Sequence, residues 1–81
     1  MGKVMKIYIK YFASIRDLIG KDSENLDVDI NSSARELWQL LTHEIESPEN
    51  VLVAVNHKYV DFEYVLKDGD EIAFFPPVTG G

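Results

Sequence analysis

The residues with the clearest chemical potential are the last six of the sequence, residues 76–81, which end in two glycines. A terminal carboxylate can be activated as an acyl-adenylate by an ATP-using partner and then attacked by a sulfur or amine nucleophile. Because glycine has no Cβ, the carbonyl of Gly81 is unhindered, and Gly80 keeps the end narrow enough to enter a channel. Six extended residues reach about 20 Å. Pro76 and Pro77 stiffen the base of this arm by fixing their φ angles.

A frayed chain end is the alternative explanation of the two glycines, since chain termini are often disordered. Glycine makes up about 7% of average proteins, so a Gly-Gly end arises by chance in about one of 200 chains. A frayed end would need neither the stiff base nor the narrow tip. The pattern therefore favours an arm that delivers its terminal carboxylate to a partner.

Other catalytic chemistry has little support in the sequence. There is no cysteine, which excludes disulfides, a thiolate nucleophile and a zinc knuckle. His43 and His57 fall on different predicted elements and are better explained as surface residues than as metal ligands. Gly20 and Gly69 stand alone, so no glycine-rich phosphate loop is present. We expect no metal site and no catalytic residues of the chain's own.

Length and charge restrict the class of protein. The 81 residues suffice for one small domain, and 46% apolar with 27% charged residues is ordinary globular usage. The net charge of −6 argues against a nucleic-acid binder and is compatible with docking on basic partners. No apolar run approaches the roughly 20 residues of a membrane span, and residues 1–10 lack the apolar core of a signal peptide. Small secreted domains usually rely on disulfides, so the absence of cysteine predicts a cytoplasmic location.

The first half of the chain predicts two strands and a short helix. Residues 4–12 alternate between apolar and polar, as in a half-buried strand. A helical segment follows over residues 14–19, with Gly20 as its stop. Residues 26–30 then predict a second strand, with Asp27 and Asp29 on its outer face. Its inward residues would be Leu26, Val28 and Ile30.

The clearest helix follows. Ser33 and Glu36 have the spacing of a capping box, in which each side chain bonds the backbone N–H of the other. Pro48 sets the limit of this helix, because the residue before a proline avoids helical angles. One apolar stripe recurs at steps of three and four residues: Ala34, Leu37, Trp38, Leu41 and Ile45.

The rest of the chain predicts three strands, at residues 51–55, 58–60 and 71–75. Asn56-His57 predicts a tight turn between the first two, and residues 67–70 a turn before the last. One long helix buries the inner faces of five strands only if they form one curled sheet. The first two strands would form a hairpin, and the helix is a crossover that lets the next strand lie parallel to its predecessor. We predict an α+β, β-grasp-like fold over residues 1–75 and an extended, flexible tail over residues 76–81.

Two aromatic residues are predicted on the outer face of the sheet. Adjacent residues of a strand point to opposite faces, so Phe75 lies outside if Phe74 faces the core. Phe12 falls on the polar side of its own strand. Exposed aromatics beside the tail indicate a protein interface. The alternative is that the sheet twists and covers both rings.

The chain resembles the family of small subunits of molybdopterin synthase. The similarity spans the whole chain and is clearest at residues 68–81, which read DGDEIAFFPPVTGG. Residues 11–20 resemble that family's first strand and short helix, and residues 54–56 its middle strand. Phe-Phe-Pro-Pro before Gly-Gly separates this group from its thiamin-pathway relatives, which share only the Gly-Gly end.

The resemblance implies a ubiquitin-like β-grasp sulfur carrier without a permanently bound cofactor. In that family an E1-like activating enzyme uses ATP to adenylate the terminal glycine, here Gly81, which is then converted to a thiocarboxylate. The arm inserts into the large synthase subunit, and the sulfur passes to cyclic pyranopterin monophosphate to build the dithiolene of molybdopterin. The family's complex is a heterotetramer of two small and two large subunits. The large subunit is implied to supply the catalytic lysines.

The resemblance also implies a set of partner contacts. By position these are Phe12, Arg16, Tyr59 and Phe75, together with the tail residues Pro76, Pro77, Val78 and Thr79. Tyr59 departs from the aliphatic residue typical of the family. Two other functions use the same terminal chemistry: a ubiquitin-like modifier joined to lysines of other proteins, and a sulfur donor for tRNA thiolation. The Phe-Phe-Pro-Pro segment favours molybdopterin synthesis.

Overall fold

A single mixed sheet forms the framework of the protein. A computed structural model describes residues 3–46 and 48–77, and within them the chain forms five strands and two helices. In chain order they are β1 (Val4–Tyr11), α1 (Ala13–Ile19), β2 (Ser23–Asp29), α2 (Ala34–Leu41), β3 (Leu52–Val55), β4 (Lys58–Val60) and β5 (Glu71–Phe75). The strand order is β2-β1-β5-β3-β4. β1 and β5 are parallel, and the other neighbouring strands are antiparallel. The predicted α+β class with five strands and a short extra helix is confirmed.

The core lies between one face of the sheet and the two helices. Every second residue of β1 is buried, and β5 buries Ile72 and Phe74 completely. The Trp38 ring of α2 lies 4.6 Å from the ring of Phe74, centroid to centroid, so the helix packs over the middle of the sheet. The opposite face of the sheet carries no helix within the described residues.

Helix α2 begins as predicted but ends earlier. Ser33 Oγ accepts a hydrogen bond from the Glu36 N–H at 3.1 Å, and Glu36 Oε1 accepts one from the Ser33 N–H at 2.9 Å, which completes the capping box. The extension to Ile45 is wrong, because the helix ends at Leu41 and residues 42–44 form turns. Thr42 caps the end with its Oγ1 donating to the Trp38 carbonyl at 2.7 Å. This local bond offers the backbone an alternative to further helix.

The substitution Leu37→Ala is expected to lower the free energy of unfolding by about 2–5 kcal/mol, because it leaves a cavity in the core. Leu37 is 1% exposed. Leu40→Ala, on the same helix but 59% exposed, is the matched control and should change stability by under about 0.5 kcal/mol. Urea denaturation followed by circular dichroism measures both. Equal effects of the two substitutions would contradict the assignment of this helix face to the core.

Two expectations for the strands are corrected by the structure. β2 runs from Ser23 to Asp29, and Ile30 is 45% exposed rather than inward-facing, because the chain leaves the strand before it and Asn31 adopts a positive φ of 69°. β3 does point in the same direction as β2, but β1 and β5 lie between them. The parallel neighbours are instead β1 and β5.

The position of β5 in the middle of the sheet has a physical reason. Ile72 and Phe74 cover one face of β5, and Ala73 and Phe75 give the other face an apolar surface as well. Strands that are apolar on both faces favour the centre of a sheet, whereas charged residues suit edge strands. The edge strand β2 accordingly carries acidic residues on its outer face. The strand that leads into the tail is therefore anchored on both sides.

Two turns lie at the start of β5 and fix where the strand begins. Gly69 has a φ of 86°, which an L side chain rarely adopts, and its N–H donates to the Lys6 carbonyl at 2.8 Å. The buried Asp70 carboxylate accepts from Asn56 Nδ2 at 2.9 Å and from the Lys67 N–H at 2.8 Å. Asn56 and His57 both have positive φ, 51° and 73°, as in a two-residue hairpin turn. The turns predicted at these two places are confirmed.

Candidate functional site

The outer face of the sheet has a depression at its centre. Ala73 of β5 lies directly across from Ala54 of β3, Lys10 of β1 flanks Ala73, and Tyr59 of β4 flanks Ala54. Two alanines side by side in a row of larger residues leave space above them. The resulting cavity has a volume of about 220 Å³, and we call it the alanine hollow. Its floor is Ala54 and Ala73.

Three aromatic side chains form one wall of the alanine hollow. The rings of Phe12 and Phe75 are stacked at a centroid distance of 4.7 Å with 9° between their planes. The Tyr59 ring lies 5.9 Å from that of Phe75 at an angle of 54°. Phe12 is 40% exposed and Tyr59 is 69% exposed, so the rings of these two residues are not covered internally. The structure thus brings together three of the residues proposed from the sequence as partner contacts.

The strand pairing explains why these rings meet. Tyr11 is the parallel partner of Phe74, so the next residues along each strand, Phe12 and Phe75, come side by side. Phe12 lies just beyond β1 and caps α1, whose first turn begins when the Ile15 N–H donates to the Phe12 carbonyl at 3.0 Å. The two rings are held in place by the backbone, because β1 and β5 are paired and the Phe12 N–H donates to the Phe74 carbonyl at 3.2 Å. Such preorganisation lowers the cost of binding.

Charged side chains form the opposite rim. Glu71 Oε2 lies 3.3 Å from Lys10 Nζ and 3.5 Å from His57 Nε2. The hydrogen bond and the charge of Lys10 lower the pKa of the Glu71 carboxyl below its ordinary value of 4.5, with a smaller contribution from His57. Because the carboxylate is favoured in the folded protein, this ion pair adds stability above about pH 4.5. That contribution is lost as the pH falls through the lowered pKa.

The substitution Lys10→Met is expected to raise the pKa of Glu71 back toward 4.5, since it removes the largest cause of the shift. An NMR titration of the Glu71 side-chain carboxyl measures this directly. His57→Gln is the comparison variant and should raise the pKa by a smaller amount. An unchanged titration of Glu71 in the Lys10 variant would show that the pair does not form in solution.

The tail begins at the edge of the alanine hollow. Pro76 and Pro77 follow β5 directly and are half-buried. Pro76 has no backbone N–H, so the strand cannot continue its pairing beyond Phe75. The predicted site residues Val78, Thr79, Gly80 and Gly81 lie outside the described residues. The extended form of the tail therefore stays a prediction.

Arg16 lies apart from the hollow. It is on α1, one turn after Phe12, and its guanidinium is 3.7 Å from the Asp22 carboxylate and 4.0 Å from that of Asp17. Its side chain is half exposed. Arg16 could contact only a partner that extends over α1 as well as the sheet.

Several residues of the hollow are not apparent from the sequence. Ala54, Ala73, Lys10 and Glu71 meet only because the register of three strands aligns them. The available signal was parity: Glu71, Ala73 and Phe75 share the face of β5 that does not point to the core. Among residues 3–46 and 48–77, no group of three or more histidine or acidic side chains is arranged to hold a metal ion. No helix in these same ranges is long and apolar enough to cross a membrane.

The topology and the site define the class of protein. A mixed sheet with parallel central strands, wrapped on one main helix and ending at a central strand, is the ubiquitin-like β-grasp fold, and the fold class expected from the sequence is confirmed. The model of the ThiS family matches residues 9–81, and the chain belongs to this family. The resemblance noted in the sequence is confirmed by the individual relatives.

Three relatives illustrate the similarity. The molybdopterin synthase sulfur carrier subunit of Escherichia coli is 36% identical over 84 residues, which cover 93% of this chain and 99% of the relative. A putative molybdopterin converting factor subunit 1 from Pyrococcus furiosus has a TM-score of 0.78 at 32% identity, over 91% of this chain and 99% of that one. A chain in the complex of subunits 1 and 2 of molybdopterin-converting factor from Helicobacter pylori has a TM-score of 0.62 at 30% identity, over 95% of this chain and 100% of that one.

Proposed function

We propose that the chain is the sulfur carrier subunit of a molybdopterin synthase and that Gly81 carries the sulfur. The observation that carries this proposal is the position of the tail's base. Phe75 ends a central strand that is paired on both edges, and its ring stands in an exposed aromatic wall. A partner that binds this wall holds the start of the tail in a fixed place. The relatives named as molybdopterin synthase sulfur carrier subunits support the choice of reaction.

The chemistry takes place at the terminal carboxylate. A carboxylate oxygen of Gly81 attacks the α-phosphate of ATP and releases pyrophosphate, which gives an acyl-adenylate. A sulfur nucleophile then displaces AMP and leaves a thiocarboxylate. An E1-like activating enzyme performs these steps in the proposed scheme, so ATP is that partner's substrate and not a cofactor of this chain. Two thiocarboxylates finally transfer one sulfur atom each to cyclic pyranopterin monophosphate to form the dithiolene, and water returns each Gly81 to a carboxylate.

The second partner is the large synthase subunit, which in this proposal supplies the catalytic groups. Phe12, Tyr59 and Phe75 would form the contact beside the tail, with Arg16 at its margin and residues 76–79 leading toward the large subunit's pocket. The pairing of the Helicobacter pylori subunits 1 and 2 in one complex supports a partner of this kind. Aromatic residues commonly supply most of the binding energy at such interfaces.

Intact-mass spectrometry of the protein isolated from the cytoplasmic fraction of its native cells tests the proposal. We expect part of the protein to be heavier by the difference between one sulfur and one oxygen atom, and the added mass to map to Gly81. Alkylation with iodoacetamide, which modifies a thiocarboxylate but not a carboxylate, provides the control. Gly-Gly remnants on lysines of other proteins, without any thiocarboxylate, would instead favour the modifier function. A thiocarboxylate consumed by tRNA thiolation alone would contradict the proposed acceptor.

A further inference from the structure

The alanine hollow has the shape and chemistry of a receiving pocket. We infer that it accepts one uncharged apolar side chain of the large synthase subunit, which makes Ala54 and Ala73 specificity-determining residues of the interface. The inference rests on the proposed function, because it takes the large subunit as the molecule that covers this face. Neither the sequence pattern nor the aromatic contacts give these two alanines a role.

The floor of the hollow is small but well supported. Ala54 alternates with the core residues Val53 and Val55 along β3, so it points away from the core, and it is only 6% exposed. Both alanines belong to central strands, which are paired along each edge. A cavity of about 220 Å³ with such a floor is present before any partner binds. A preformed pocket needs little reorganisation on binding, which favours its use as an anchor site.

The charge around the hollow favours an apolar occupant. The chain has a net charge of −6, but the acid at this rim, Glu71, is already paired with Lys10 and lies beside His57. A cationic side chain of the partner would have to compete with Lys10 for that carboxylate. An anionic side chain would meet the same carboxylate at close range. The remaining lining is methyl groups and aromatic rings, against which an aliphatic or aromatic side chain gains the most by leaving water.

The large subunit is the occupant because the hollow continues directly into the base of the tail. Phe75 belongs both to the aromatic wall and to the last strand before Pro76. A partner that draws the tail into its own pocket must lie over Phe75 and therefore over the adjoining hollow. The two subunits would then interlock in both directions, with the tail entering the large subunit and one of its side chains entering this chain.

Filling the hollow tests the inference. Ala73 is half-buried and faces outward, so Ala73→Val and Ala73→Leu add volume without entering the core. We expect a graded loss of affinity for the source organism's large subunit, with Kd rising at least tenfold for leucine and less for valine, by isothermal titration calorimetry.

Asn25→Leu is the matched control. Asn25 is an exposed, uncharged residue on the same face of the sheet, in β2, outside the lining of the hollow. This substitution should leave the Kd for the large subunit within twofold of that of the unsubstituted protein. Thermal melts should show that all three variants are folded. Unchanged affinity of both Ala73 variants would overturn the inference while leaving the proposed function intact, as would an equal loss from Asn25→Leu. Failure of the unsubstituted protein to bind the large subunit would overturn the proposed function first.

Discussion

Deletion of Gly81 is expected to abolish sulfur transfer while the protein stays folded. The shortened chain still ends in a glycine carboxylate, that of Gly80, but its reach falls by roughly 3.5 Å. Because β5 and Pro76 fix the start of the arm, a shorter arm cannot compensate by moving its base. A misplacement of about 1 Å can already lower a reaction rate about 100-fold. The rate of sulfur transfer by the shortened chain should therefore fall below the detection limit. Mass spectrometry after incubation with the activating enzyme, ATP and a sulfur source measures thiocarboxylate formation.

The addition of one alanine after Gly81 provides the complementary variant. It keeps the whole arm but moves the terminal carboxylate beyond its proper place and puts a Cβ at the reacting residue. Both variants should match the unsubstituted protein in circular dichroism and thermal denaturation, since the helices and strands end at Phe75 within the described residues. Sulfur delivery to the pterin by the lengthened chain, at a rate near that of the unsubstituted protein, would refute the role of Gly81.

The local elements of this fold could be predicted from the sequence because their causes are local. The capping box needs only Ser33 and Glu36, three residues apart, and the alternation of β1 needs only a polar-apolar pattern. The hairpin turn at Asn56-His57 likewise depends on residues that tolerate positive φ. The early end of α2 is the exception, because the side-chain bond of Thr42 competes with a helical continuation that the apolar stripe supports.

The pairing of distant strands could not be predicted in the same way. β1 and β5 are parallel neighbours although some 60 residues separate them, and this choice depends on the apolar residues that β5 carries on both of its faces. The chemistry of the tail was accessible because it resides in one short segment. The alanine hollow was not, since Ala54 and Ala73 are unremarkable in sequence and gain meaning only when they become cross-strand partners. The alternation of polar and apolar residues indicates which face of the sheet a residue occupies, but not which residue lies across from it on the neighbouring strand.

Phe74 and Phe75 allow binding and folding to be separated by adjacent substitutions. Phe75→Ala removes the ring that contacts both Phe12 and Tyr59 on the outer face, so affinity for the large subunit should fall by about 2 kcal/mol or more, close to 30-fold in Kd. The free energy of unfolding should fall by less in this variant than in Phe74→Ala, because the core on the other face of the sheet is unchanged. Calorimetric titration with the large subunit and urea denaturation measure the two quantities.

Phe74→Ala is the complementary substitution, because Phe74 lies on the core face of the same strand. Phe74 is fully buried and its ring lies against those of Trp38, Tyr11 and Phe62, so its removal should cost about 3–5 kcal/mol of stability. A domain of this size has only a few kcal/mol in reserve, and much of the variant should be unfolded at 25 °C. Full affinity in the Phe75 variant would place that ring outside the interface. A stable Phe74 variant would mean that the sheet faces the other way, with the tail emerging from a different surface.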